Sequence, residues 1–389
     1  MINKLLALPL ALAVVATIGC TRKSDQAAGG SASATGSSNE ILVGEFGSFT
    51  GGEATFGIST SNGIKMAFEE ANAKGGVKGK KLVLKSLDNQ GKAEEAASAV
   101  TRLINQDHVT AILGEVASSR SLAAAPIAQQ NKIPMITPSS TNPKVTEVGN
   151  YIFRVCFIDP FQGTVMAKFA NDNLKAKKVA ILRDVKSDYS VGLADYFQKK
   201  FKELGGDIVM DTSFQSGDID FKAQLTQIKA TKPDAIYVPG YYTEVGLIAR
   251  QARQLGITAP LLGGDGWDSS KLFEIGGSAI NGNYFSNHYT TESTDPAVQD
   301  FIKKYKEKYG ETPDALAALG YDAAKVLIAA MERTADLKPD QIRDEIAKTK
   351  DFSVVTGKIT MDANRNAVKP AVIVKVDGNV NRYVTTIAP

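Results

Sequence analysis

The sequence predicts an α/β protein built on two parallel sheets, and three observations carry that prediction. Short β-rich runs alternate with amphipathic segments of roughly 10–15 residues, the pattern of βαβ units. The alternation comes as two successive series. No Pro- or Gly-rich linker separates the series, so the chain passes between two similar lobes through short hinges.

The first series starts at Ile41 with "ILVGEF", an aliphatic run followed by a helical pattern near Gly57 to Ala73. "KLVLKSLD" then precedes a helix near Ala93 to Asn105, "VTAILGE" one near Ser121 to Gln130, and "IPMITPSS" closes the series. A helix near Phe161 to Leu174 opens the second. "KKVAILRD", "DIVMDTSF", "DAIYVPG" and "APLLGGDG" follow as strands, alternating with helices near Gly192 to Leu204, Phe221 to Ala230 and Glu244 to Leu255. Two more helices are expected near Pro296 to Tyr309 and Ala315 to Thr334. The tail "AVIVKVDGNVNRYV" alternates apolar and polar residues around "DG", a hairpin signal, and is expected to add an edge to the second lobe.

The chain has 389 residues, 43% hydrophobic and 22% charged, with a formal net charge of +3. This is the composition of a globular protein with a substantial core, and it carries no mark of a nucleic-acid binder. Residues 1–19 combine Lys4 with an apolar stretch from Leu5 to Ile18, too short for a membrane span, and read as an export signal. The stretch ends in "ATIGC", which resembles the lipobox of bacterial lipoproteins and marks Cys20 for lipidation, although Thr17 is less typical there than Leu. An ordinary secretory signal with an incidental cysteine is the alternative. Residues 20–39 are rich in Ser, Gly and Ala and read as a lipidated flexible tether with a mean reach of about 25 Å. With Cys20 assigned to lipid, Cys156 is the one remaining cysteine, expected in the core with no disulfide partner.

Open parallel sheets bind ligands beyond the carboxyl ends of their strands, so the segments just after each strand hold the candidate site. "GEVASSRS" places Ser118 and Ser119 before a helix, where a hydroxyl cap and free amides suit an anion such as a carboxylate. "TPSSTNP" adds Ser139, Ser140 and Thr141 as further donors. In "GGDGWD", Asp265 stands on a glycine-rich turn with Gly266 and Trp267, where small neighbours would let a ligand approach. A buried acid there needs a cationic partner, and an ammonium group would serve. Helix caps without a ligand, and a turn aspartate bonded to its own backbone, are the plain alternatives. Phe56, Tyr189, Tyr241, Tyr242 and Trp267 could wall an apolar side chain. Anion site, acid and aromatic walls together describe a zwitterion with an apolar side chain, an amino acid.

Catalysis has no anchor in the sequence. His108 and His288 are the two histidines; there is no HExxH, no cysteine pair for a metal, and neither a GxGxxG nor a GxxxxGK[ST] loop nor a GxSxG elbow. "DANRN" (362–366) begins like a calcium loop but lacks the following glycine and distal glutamate, and reads as a turn. No enzyme activity, cofactor or metal is expected.

"ANAKGGVKGKKLVL", "GEVASSRS", "TPSSTNP", "GYYTEVGLIARQAR" and "ALGYDAAKVL", in this order and spacing, resemble the branched-chain amino acid-binding proteins of ABC uptake systems, with the type I periplasmic binding fold. The resemblance covers residues 40–389. It implies two α/β lobes joined by three hinge crossovers, lobe 1 from 40–158 and 289–356 and lobe 2 from 159–288 and 357–389. It also implies closure on a neutral amino acid such as leucine, isoleucine or valine, delivery to a membrane permease, and a location in the periplasm or at the cell surface. A sensory receptor of the same fold, or a binder of amides, urea or aromatic acids, stands as the alternative. By the same resemblance, Ser118, Ser139 and Thr141 hold the ligand carboxylate and amino group, Asp265 pairs with the ammonium, and Phe56, Tyr189 and Tyr241 surround the side chain. Leu319 and Tyr321, in "ALGYDAAKVL", complete the candidate set. The chain departs from founding members in lacking their lobe-one disulfide, in carrying Asp265 where they have glutamate, and in the polar pair Ser139 and Ser140.

Overall fold

The computed structural model describes residues 39–389. The export segment and nearly all of the tether, with the lipidation candidate Cys20, lie outside the described residues. No helix of the described residues is long and apolar enough to cross a membrane.

The first sheet is built from β1 (Glu40–Gly47), β2 (Lys81–Asp88), β3 (Ala111–Leu113), β4 (Met135–Thr137) and β5 (Ile152–Arg154). Its order is β2-β1-β3-β4-β5, parallel throughout. The intervening helices are α1 (Ala54–Ala73), α2 (Ala93–Asn105), α3 (Ser118–Gln130) and the single turn α4 (Lys144–Glu147). β3, β4 and β5 are buried along their whole length; their continuous apolar reading is that of strands covered on both faces.

The chain then enters the second lobe through α5 (Asp159–Asp172), β6 (Lys178–Asp184), α6 (Asp188–Glu203), β7 (Asp207–Phe214), α7 (Lys222–Thr231), β8 (Ala235–Tyr237), α8 (Tyr242–Gln254) and β9 (Leu261–Gly263). A 3₁₀ turn over Asp265–Trp267, α9 (Ser270–Gly276) and β10 (Tyr284–Asn287) follow. Next come α10 (Pro296–Tyr309) and α11 (Ala315–Arg333), the latter lying along α1 of the first lobe. After α12 (Pro339–Ala347), the strands β11 (Phe352–Val354), β12 (Gly357–Met361) and β13 (Ala367–Val368) form a small antiparallel sheet of their own. The chain returns with β14 (Ala371–Asp377) and β15 (Val380–Ile387), so it changes lobe three times. The second sheet runs β15-β14-β10-β9-β8-β6-β7. β14 and β15 are the expected hairpin, turning through Gly378 and Asn379 between the paired Asp377 and Val380; β14 pairs antiparallel with β10, and β15 forms the sheet edge.

α2 and α10 have the predicted bounds. α3 and α6 begin a turn early, at Ser118 and Asp188 instead of Ser121 and Gly192: the first turn of α3 is polar, whereas that of α6 carries Tyr189, the start of the buried row Tyr189, Leu193, Phe197 and Phe201. α4, α9, α12, β5, β10 and β11 to β13 were not expected: elements this short have no period to read. Asp362 of "DANRN" accepts the amides of Asn364 and Asn366, the turn expected there.

Candidate functional site

A narrow cavity of about 10 Å³, close to the room of a single water molecule, lies between the lobes. Its apolar wall is Phe56 at the start of α1, Val116 after β3, Tyr189 at the start of α6, Tyr241 after β8 and Leu316 in the first turn of α11. Ser139 after β4, with Asp265 and Gly266 after β9, supplies the polar lining. No lining residue is cationic. The aromatic rings brace one another: Tyr189 stacks on Tyr241 with centroids 5.3 Å apart, and Phe56 meets Tyr241 edge-on at 5.4 Å.

Hydrogen bonds across the seam hold the lobes together. Ser119 Oγ donates to Asp188 Oδ2 at 2.8 Å and accepts the Asp188 amide at 2.9 Å. Asn142 Nδ2 donates to Asp188 O, Thr243 Oγ1 donates to Gly52 O, and the hydroxyls of Thr55 and Ser269 pair at 2.9 Å.

Asp265 is the charged centre of the cavity. Gln162 Nε2 (2.8 Å) and Tyr189 OH (3.0 Å) donate to Oδ1. His288 Nε2 (3.0 Å) and Ser139 Oγ (3.3 Å) reach Oδ2. Burial pushes this carboxyl up, but the bonds from His288, Gln162 and Tyr189 outweigh it and hold Asp265 below the usual carboxylate range. Burial moves His288 the other way, below an ordinary imidazole, and its Nδ1 is buried with no acceptor, a setting that suits a carboxylate facing a neutral ring. The negative charge therefore lacks a counterion, and a carboxylate with two donors on each oxygen has its lone pairs filled. An entering cation must displace one donor, and Ser139 makes the longest bond and belongs to the opposite lobe.

Arg120 cannot serve an anion in this cavity. Its guanidinium is buried between Glu115 (Nε to Oε1, 2.9 Å) and Glu53 (Nη2 to Oε2, 2.6 Å). Burial works against its charge, but the two carboxylates hold its pKa above that of a free arginine. The first lobe is left with neutral donors. Ser118 Oγ accepts the Asn142 amide, which leaves its proton free to donate. Thr141 Oγ1 is buried beside the Asp159 carboxyl, whose rise it eases, and neither Ser118 nor Thr141 is among the residues that line the cavity.

Several candidates sit elsewhere than expected. Neither Ser118 nor Ser119 caps α3, whose N-cap is Ala117 with no side-chain bond. Ser140 Oγ is occupied by Ser121 and by the carbonyls of Glu115 and Val116. Trp267 is fully buried, its indole N–H donating to Val238 O. Leu319 is in the core, and Tyr321 OH donates to Glu70 on the α1 side. The space over the glycine-rich turn is filled by the protein: a Cβ on Gly264 would meet Tyr189 OH at 2.4 Å. Cys156 is buried as expected, its thiol pushed up to about 12 by burial.

Residues 40–381 match the sequence model of the periplasmic binding protein family. The chain belongs to that family. It is 34% identical to the Leu/Ile/Val-binding protein homolog 3 of Brucella melitensis, over 76% of this chain and 79% of the relative. It is 30% identical to the leucine-specific-binding protein of Salmonella typhimurium, over 83% and 87%. Among solved structures, the leucine-binding protein LivK of Thermotoga maritima is 47% identical with a TM-score of 0.87, covering 90% of this chain and 99% of that one. The branched-chain amino acid transporter binding protein LivJ of Streptococcus pneumoniae, in complex with isoleucine, is 36% identical with a TM-score of 0.86, covering 90% and 100%.

Gln162, His288, Val116 and Leu316 were not among the sequence candidates. Leu316 lies one helical turn before Leu319, on the same face of α11 and nearer the cleft. His288 follows the four-residue β10, whose shortness hid a strand end.

Proposed function

We propose that this family member is the exported solute-binding component of an ABC uptake transporter and that it closes on a branched-chain amino acid. One observation carries the reading: an ionised, buried Asp265 lines an apolar, aromatic cavity that has no cationic side chain. An α-ammonium group fits that charge, with Ser139 released from Asp265 to the ligand. Ser139 supplies a neutral donor for the α-carboxylate from the cavity lining, and by the family resemblance Ser118 and Thr141 join it. Phe56, Tyr241 and Leu316 enclose an aliphatic side chain. Because ligand bridges both lobes, it binds the closed form selectively, and closure is what a membrane permease reads. The names of the relatives support this substrate class. Export to the periplasm, with lipid attached at Cys20, completes the proposal and rests on the N-terminal sequence.

A thermal-shift screen against the amino acids, short amides, urea and benzoate tests it. Ligand at ~100 Kd adds about 2.7 kcal/mol of apparent stability, so leucine, isoleucine or valine should raise Tm clearly. A response only to an amide or an aromatic acid would keep the fold and remove the amino-acid assignment. Cys20→Ala should release the protein from membrane fractions; retention of this variant there would remove the lipid anchor.

A further inference from the structure

His288 lies behind the charged centre of the cavity, outside its lining, and its surroundings dictate its protonation. The side chain is fully buried, and the ring stacks on Phe157 with centroids 3.9 Å apart and planes 22° apart. Its backbone amide is tied to Asn287 Oδ1. The clamped ring points Nε2 at Asp265 Oδ2, an acceptor, so Nε2 carries the proton. Nδ1 is buried with no partner. As a bare lone pair it is tolerated; as a second N–H it would be a buried donor without an acceptor.

We infer that His288 is a positioning residue of the ligand site: its neutral ring fixes the Asp265 carboxylate through Nε2–H, and its protonation would set a cation against Asp265 in place of the ligand's ammonium. This rests on the amino-acid reading above and deepens it. Among the titratable groups around the pair, Asp268 is raised by burial and by the charge of Asp265, against its bonds from the Ala315 amide, Asn287 and Asn381, but His288 is the one in hydrogen-bond contact with Asp265 whose pKa lies below neutral. Asp159, at the start of α5, has its carboxyl pushed up to about 8, first by burial and further by the charge of Asp265 against the easing effects of Thr141 and Arg154; it is protonated in that window. The Cys156 thiol is uncharged, and burial holds the Tyr189 hydroxyl well above its ordinary range. Lys369 is buried between β13 and β14, and its charge opposes a second cation on the ring.

Ligand ammonium and ring proton therefore exclude each other, and linkage fixes the sign. Affinity is greatest with the ring neutral and falls with acid, Kd rising toward roughly tenfold per pH unit below the ring's pKa in the free protein. Asp265 titrates below this window.

The test is calorimetric titration of leucine, isoleucine and valine from about pH 5 to 7.5, with wild type, His288→Ala and His288→Gln, and ¹⁵N NMR of the imidazole in free protein. Wild type should show the acid loss and a neutral Nε2–H ring at pH 7. Assignment is simple because His108 is the other histidine. His288→Ala should weaken binding by about 10- to 100-fold at neutral pH, the effect of removing one hydrogen bond to a charged group. His288→Gln, which offers an amide N–H near Nε2 and cannot be protonated, should recover most of that loss and flatten the acid limb. Amino-acid binding with the same acid limb in His288→Gln, or a ring charged or protonated on Nδ1 at pH 7, would overturn the inference alone. Failure of all three amino acids to bind wild type at any pH would overturn both the proposed function and this inference.

Discussion

At the scale of single residues, the site turns on an acid kept ionised without a cation. Asp265 is charged because four donors surround it, so the energy it offers a ligand is that of a buried charge awaiting its partner. Asp265→Asn keeps the shape and removes the charge. It should raise Kd for a branched-chain amino acid by 100-fold or more, about 3 kcal/mol, the range for losing one half of a buried charge pair. Calorimetry checks this, and an unchanged Tm of the ligand-free variant shows that the fold is intact; equal affinity would remove Asp265 from the site. Asp265, Tyr189, Tyr241, Phe56 and Ser139 were legible in the sequence because each follows a strand or opens a helix at a strand end. Gln162 and His288 were not, since a residue that bonds to a site residue from behind obeys no periodicity of its own. Trp267 was misplaced for a related reason: an aromatic residue beside a glycine turn has the same composition whether it faces the ligand or fills the glycine's space.

At the scale of elements, the cavity depends on a close helix pair. Gly63 of α1 and Gly320 of α11 let the backbones touch: a Cβ on Gly63 would lie 2.0 Å from Ala317 O, and one on Gly320 2.3 Å from Thr60 O. The same two helices carry Phe56 and Leu316 at their cleft ends. Gly63→Ala should therefore act twice. Overpacking costs about 1–3 kcal/mol, to be seen as a Tm lower by several degrees. Separation of the helices should also widen the cavity and weaken ligand binding. A variant with native Tm would show that α11 shifts freely on α1. Both helices were legible from their long periodic patterns, and so were the core strands from their aliphatic runs. The register of α1 against α11 was not, because the contact joins segments about 250 residues apart through glycines, which carry no hydrophobic signal.

At the scale of the whole molecule, affinity is the product of two equilibria, closure of the lobes and contact with the ligand. Ser119 separates them. Sequence alone made it a ligand candidate, yet its hydroxyl is spent on Asp188 across the seam, donating to the carboxylate and accepting the amide. Ser119→Ala removes both bonds from the closed form and nothing from the cavity lining. If closure loses about 1 kcal/mol, a typical net value for hydrogen bonds in a partly exposed place, apparent Kd should rise roughly fivefold. The increase must be the same factor for leucine, isoleucine and valine, because a closure residue cannot tell ligands apart, whereas a contact residue alters their ranking. Small-angle scattering should find the ligand-saturated variant as compact as wild type, since excess ligand restores the closed population. Unequal factors among the three amino acids would return Ser119 to the cavity, and no change in any of them would mean that the Ser119–Asp188 bonds add nothing to closure.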